Sequence, residues 1–259
     1  MIEWREISGN WVWLPPQPVG IIHFLGGAFV ASAPQLTYRW LLTEIGKAGY
    51  AIIATPFVNT FDHISIARDV LNRFETLVAQ LQAKKQLPRD YLPVYGIGHS
   101  MGCKLHLLIG SLFAIERAGN ILISYNNYPA RQAIPLVEQL DVNQTLNFEF
   151  IPSPQETNQL IAQSYTIRRN LLIRFNNDDI DQSLTLNPIL QERFTQLISL
   201  LVLPGNHLTP LGQEFNWQTG EYFTPLDALG QWFKQEFSRD ASRLKQEILR
   251  WLNPLFVFK

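Results

Sequence analysis

Six short apolar runs, at residues 19–25, 50–55, 92–97, 120–125, 170–175 and 197–203, alternate along this chain with stretches that read as helix. Few folds accept such a pattern. Strands that are apolar throughout belong to a sheet covered on both faces, and helical connections between them imply right-handed crossovers and mostly parallel pairing. Helices are predicted at 36–48, 62–86, 103–114, 187–196 and 226–252. The second carries the clearest signal, with Ala67, Val70, Leu71, Phe74, Leu77 and Leu81 recurring at three- and four-residue spacing as a core-facing stripe.

Two stretches depart from this rhythm. Residues 4–14 alternate and contain Gly9-Asn10, a hairpin turn signal, so they read as two antiparallel strands at the sheet edge. Residues 126–169 separate two strands and include Pro129, Pro135, Pro152 and Pro154. An excursion of that length in a compact domain is usually a functional lid or binding loop, and it is read here as a lid. The fold expected is a single α/β domain over residues 1–259, with no internal repeat.

Composition narrows the partners. The net charge is −1, without a long run of one sign, which argues against nucleic acid or an anionic membrane as the main partner. The single cysteine, Cys103, rules out an intramolecular disulfide and fits a reducing compartment. The acidic start at Glu3 and Glu6 does not read as a signal peptide, and the apolar run at 197–203 is too short to cross a bilayer. A cytoplasmic protein is expected.

Chemistry enters at Gly98-His99-Ser100-Met101-Gly102, between the strand at 92–97 and the helix at 103–114. A serine between two glycines at a strand-to-helix junction is the arrangement of a nucleophile elbow, whose tight turn projects the hydroxyl into the open. The bare pattern is weak; its setting strengthens it. A serine hydroxyl is a poor nucleophile near neutral pH, so it needs a base, and that base needs a carboxylate to fix its tautomer. In sheets of this class reactive groups gather after the carboxyl ends of strands. The strand at 170–175 is followed by Asp178, Asp179 and Asp181, and the strand at 197–203 by His207. The order serine, acid, histidine is the one this architecture uses.

On these residues the chain resembles the α/β-hydrolase superfamily over most of its length, closest to an uncharacterised branch found in cyanobacteria and plastids. The Phe24-Leu-Gly-Gly-Ala-Phe29 stretch is similar to the oxyanion loop of lipases and esterases, with Leu25 where a histidine is usual. The resemblance implies oxyanion donors at the amides of Gly27 or Ala28 and of Met101. Aligning the acid loop puts Asp178 at the acid position, with Asp179 and Asp181 as alternatives, and Phe175 stands where a glycine is frequent. The implied enzyme is a serine hydrolase of ester, thioester or related acyl bonds, using Ser100, His207 and Asp178. Phe29, His99 and Tyr125 would touch a small acyl substrate of apolar character, with no cofactor.

Each of these residues also has a plainer reading. Ser100 would be a small residue at a tight turn, His207 a loop histidine capping a helix, and Asp178 a solvated turn residue. His23 reads as a core histidine, and His63 and His106 lie on helices without metal-ligand spacing, so no metal is predicted. Cys103 reads as buried filler, and the glycines at 26 and 27 lack the rest of a phosphate loop. A catalytically silent binding or scaffold protein on the same fold is the second reading of the whole chain.

Overall fold

Apolar on both faces, the runs become the strands of one sheet. In the computed structural model, which describes residues 3–88, 92–133, 149–211 and 237–253, these are β1 (Arg5–Ile7), β2 (Asn10–Trp13), β3 (Gly20–Leu25), β4 (Tyr50–Ala54), β5 (Val94–His99), β6 (Gly119–Ile123), β7 (Asn170–Asn177) and β8 (Ile198–Asn206). Their order across the sheet is β1-β2-β4-β3-β5-β6-β7-β8. β1 and β2 pair antiparallel at the edge, and every pair from β4 to β8 is parallel.

The helices are α1 (Pro34–Thr37), α2 (Arg39–Lys47), α3 (His63–Ala83), α4 (Met101–Leu112), α5 (Ala130–Ala133), α6 (Pro154–Ser164), α7 (Ser183–Arg193) and α8 (Phe237–Leu252). Alternate strand residues face opposite layers. Ile22 and Phe24 pack with Leu41, Ile45, Leu244 and Ile248 of α2 and α8. Their neighbours Ile21 and Leu25 face the layer of α3 and α4, and α6 and α7 extend that layer over β6, β7 and β8. Leu244, Ile248 and Leu252 bury the inner face of α8. Its predicted start near residue 226, with Trp232 and Phe233, lies outside the described residues.

Three departures from the sequence reading have a physical reason beyond a shift of element ends. The hairpin turn is Ser8-Gly9, not Gly9-Asn10: Ser8 and Gly9 hold φ of 50° and 71°, while Asn10 already pairs with Ile7. A two-residue hairpin loop needs positive φ at both central positions, and Asn10 is instead buried, accepting a hydrogen bond from the Thr55 hydroxyl at 2.7 Å. α7 begins at Ser183 rather than 187 and carries Pro188 inside it.

The third difference concerns the predicted lid. β6 and β7 are parallel neighbours, which requires a crossover between them. α6 supplies it, burying Ile161 in the layer of α4 and α7. It starts at a capping box in which Ser153 accepts from the Glu156 amide and Glu156 accepts from the Ser153 amide. The 126–169 segment is therefore part crossover. Residues 134–148 lie outside the described residues.

Candidate active site

The backbone at Ser100 is the first element of the site. β5 ends at His99 and α4 begins at Met101, so a single residue makes the turn, and Ser100 holds φ 54° and ψ −117°. For a residue with a side chain such a conformation costs about 1–3 kcal/mol and persists only where its surroundings enforce it. Ser100 donates its amide to the Ile123 carbonyl at 2.9 Å, and its own carbonyl accepts from the Cys103 amide at 3.0 Å. The flanking glycines are required by close approach. A Cβ on Gly98 would stand 2.6 Å from the Cys103 nitrogen, and one on Gly102 would run into the Leu25 carbonyl. Strand, turn and helix meet with no room for a methyl group.

The histidine and its acid come together through strand register. Asn177 at the end of β7 pairs with Asn206 at the end of β8. The next residues on each strand are Asp178 and His207, and His207 Nδ1 lies 2.9 Å from Asp178 Oδ2. The second carboxylate oxygen accepts from the Ile180 amide at 3.2 Å. Burial works to raise the Asp178 pKa, but the hydrogen bond and charge of His207 outweigh it and hold the carboxyl below its ordinary value. The other two acids do not reach His207. Asp179 is exposed, and Asp181 accepts from the amide and hydroxyl of Ser183, both at 2.9 Å, at the start of α7. The His207 loop is braced by its neighbours: Thr209 Oγ1 accepts from the Asn206 amide, and Asn206 Oδ1 accepts from the Leu208 amide.

Ser100 and His207 face the same cavity, though no hydrogen bond joins their side chains among the described residues. In enzymes that use such a pair the contact often tightens only when substrate arrives.

His99 ties three loops together. Its Nε2–H donates to the His207 carbonyl at 2.8 Å, since a carbonyl only accepts. Burial, with His207 close by, lowers the His99 pKa to about 3, so the ring is neutral and Nδ1 is bare. That nitrogen accepts from the Tyr38 hydroxyl at 2.7 Å, and the Tyr38 oxygen accepts from the Gly27 amide at 2.8 Å. The tautomer is fixed by its partners. One consequence falls on the predicted oxyanion donors. The Gly27 amide is already committed to Tyr38, whereas the amides of Ala28 and Met101 make no hydrogen bond among the described residues and border the cavity.

The cavity holds about 620 Å³, a common size for a small-molecule site. Phe29, Val30, Met101, Phe150, Ile180 and Leu211 make most of its wall apolar. Phe29 and His99, expected to touch substrate, are among the lining residues. Tyr125 is not. It is buried beside Cys103, Leu107 and Leu122 in the layer between α4 and α7, because it sits past the end of β6 with its carbonyl held by the Gln182 amide at 2.7 Å. The sequence reading misses Tyr38, His63 and Lys104, of which the last two line the cavity. A lysine four residues after Ser100 lies one helical turn along the same face, and its place inside an apolar helix was a legible signal. Tyr38 carries none.

The other histidines serve the core. His23 is buried, bonded to Thr55 Oγ1 at 3.2 Å and to Arg117 at 2.8 Å, and His106 meets the Ile97 carbonyl at 3.2 Å. The Cys103 thiol donates to the Gly98 and Ile123 carbonyls, and burial pushes its pKa far up. Among the described residues no group of three or more His, Cys, Asp or Glu side chains is placed to hold a metal ion, and no helix is long and apolar enough to cross a membrane.

Residues 3–254 match the model of a family described as "Protein of unknown function (DUF1350)". A search of curated proteins finds no match. Among solved structures, a soluble variant of monoglyceride lipase from Saccharomyces cerevisiae in complex with a substrate analog is similar at a TM-score of 0.61 and 12% identity, over 100% of this chain and 96% of that one. The substrate-bound fluorophosphonate-binding serine hydrolase F of Staphylococcus aureus gives a TM-score of 0.58 at 12% identity, over 94% and 92%. An S-formylglutathione hydrolase from the same organism gives 0.56 at 14%, over 94% and 90%. The fold is that of the α/β-hydrolases.

Proposed function

For this chain, which belongs to the DUF1350 family, we propose hydrolysis of an ester, thioester or related acyl bond by Ser100, His207 and Asp178. The observation that carries the reading is the 2.9 Å contact between Asp178 and His207, with His207 lining the same cavity as Ser100, which sits on a strained turn. A bare turn serine and a bare loop histidine have no reason to share one cavity with a carboxylate behind the histidine.

Asp178 accepts the Nδ1–H of His207, which leaves Nε2 as the base. Nε2 takes the Ser100 proton as Oγ attacks the acyl carbon, and the carbonyl oxygen becomes an oxyanion. The free amides of Ala28 and Met101 are the donors available to it, each worth about two to three orders of magnitude in rate. Collapse of the tetrahedral species expels the alcohol or thiol, which takes its proton from His207. Water then attacks the acyl-enzyme by the same route and restores the serine. The apolar wall around Phe29, Met101 and Phe150 favours a substrate with apolar character. Similar folds named as serine hydrolases and lipases support the class of chemistry, and the buried free thiol of Cys103 fits a cytoplasmic setting.

Labelling with a fluorophosphonate probe tests the proposal. The wild type is expected to label, and Ser100→Ala and His207→Ala to abolish it, with turnover of an activated ester falling about six orders of magnitude when the serine is removed. A folded wild type that stays unlabelled would favour a binding role without turnover, for which the missing Ser100–His207 hydrogen bond is the one supporting observation.

A further inference from the structure

Polar groups that the proposed triad does not use collect on one side of the cavity. Lys104, on α4 one turn beyond Ser100, is 1% exposed. Its Nζ donates to the Pro152 carbonyl at 3.0 Å and stands 5.6 Å from the centre of the Phe150 ring; burial brings its pKa down to about 7, so the amine is fully protonated near neutrality only once an anion joins it. No carboxylate among the described residues lies within ion-pair distance of it. The nearest acids are tied elsewhere: Glu149 accepts from the Ala130 and Phe150 amides, and Glu156 closes the capping box of α6. Lysines are almost never so buried without a paired anion.

His63 faces the same space from the first turn of α3. It is buried, stacks on Phe150 at 4.3 Å, and neither ring nitrogen has a hydrogen-bond partner among the described residues. Burial, with Lys104 close by, brings its pKa down to about 3, so the ring is neutral and offers one N–H. Asn127 donates its amide nitrogen to the Pro154 carbonyl at 3.1 Å, and among the described residues its buried Oδ1 and that of Asn59 have no partner. All four side chains line the cavity that holds Ser100. Unsatisfied buried polar atoms are few in native proteins. Four such atoms, two on His63 and one each on Asn59 and Asn127, border this one cavity.

We propose that this pole binds a carboxylate at the non-scissile end of the acyl substrate, held by the Lys104 ammonium and the His63 N–H. This rests on the hydrolase reading above and names its substrate class: a monoester or thioester of a dicarboxylic acid. Two donors match the two oxygens of a planar carboxylate. The amide oxygens of Asn59 and Asn127 accept hydrogen bonds only, so they repel the additional oxygens of a phosphate dianion and welcome a hydroxyl or N–H beside the carboxylate. Phe150 packs beside both donors, and an apolar neighbour strengthens their electrostatic hold on an anion.

The experiment is a comparison of kcat/KM for p-nitrophenyl esters of equal chain length, the adipate monoester against the hexanoate. The wild type is expected to prefer the adipate ester. Lys104→Met should cut that preference about thirtyfold or more, the scale of losing one partner from a buried charge pair, and His63→Phe should weaken it through the lost N–H. Circular dichroism and thermal melting establish that each variant is folded. A second readout does not need turnover: adipate added to Ser100→Ala should raise its melting midpoint, and adding Lys104→Met to that variant should remove the shift. If the wild type labels with fluorophosphonate yet shows no adipate preference, the carboxylate site is wrong and the hydrolase reading stands. If labelling fails but adipate stabilises the protein through Lys104, the site stands and the hydrolase reading falls. Stabilisation by inorganic phosphate stronger than by adipate overturns the assignment of a carboxylate.

Discussion

Asp178 shows how much one position in a loop decides. Three aspartates lie within four residues in the sequence Asn-Asn-Asp178-Asp179-Ile-Asp181, and any one of them could orient a histidine. Only Asp178 meets His207, because it is the first residue beyond the paired ends of β7 and β8. Asp181 is spent on Ser183. Under the proposed chemistry Asp178→Asn should lower kcat about four orders of magnitude, since an amide no longer selects the tautomer that leaves Nε2 bare. Asp181→Asn keeps an acceptor for Ser183 and should stay within a few-fold of wild type. Steady-state assay of the two variants on one activated ester checks both, and equal losses would remove Asp178 from its proposed role. The sequence placed Asp178 first and left Asp179 and Asp181 open, because the geometry depends on a register shift between Phe175 and Asn177 that pairing with another strand creates.

At the scale of elements the central strands and long helices were legible, and the short signals were not. The stripe from Ala67 to Leu81 folds as α3 because its period matches the helix and its apolar face meets the sheet. The capping box Ser153-x-x-Glu156 went unread amid prolines, although Pro154 suits the first turn of a helix. The 126–169 excursion read as a lid contains this crossover helix. Ser153→Ala should cost about 1 kcal/mol of stability, the usual worth of an N-cap, measured as a shift of the urea midpoint at unchanged slope. Loss of fluorophosphonate labelling in a folded Ser153→Ala protein would mean that α6 does more than cover the sheet. The hairpin slipped by one residue for a related reason. Gly9-Asn10 is a good turn dipeptide by composition, but Asn10 is claimed by Thr55, 45 residues away.

The whole molecule stores four histidines as neutral rings. Burial holds the pKa of His23 and His106 well below the ordinary value and that of His63 and His99 near 3. In the unfolded chain these rings take up protons near pH 6.5. Below that pH the unfolded state binds more protons than the native state, so stability falls as pH falls. The slope is up to about 1.4 kcal/mol per pH unit for each ring, continuing toward its native value. The depressed carboxyl of Asp178 adds a further loss, confined to pH below the usual carboxylate range. Thermal midpoints from pH 8 to pH 4 should therefore decline steadily on the acid side of neutrality. A profile flat down to pH 5 would show that the imidazoles are solvated rather than buried.

What the sequence determined by itself was what can be read locally or along a period: the parallel sheet, the elbow at Ser100, the order of serine, acid and histidine. Apolar periodicity and glycine placement act within a few residues, so they survive in one dimension. What tertiary structure decided was every relation between distant segments. It set Asp178, and neither Asp179 nor Asp181, against His207, took the Gly27 amide for Tyr38, sent Tyr125 into the core, and set Lys104 and His63 against Phe150 in one cavity. Hydrogen bonds and burial depend on which side chains the folded layers bring within about 3 Å, and His99 and His207 of the candidate site are 108 residues apart.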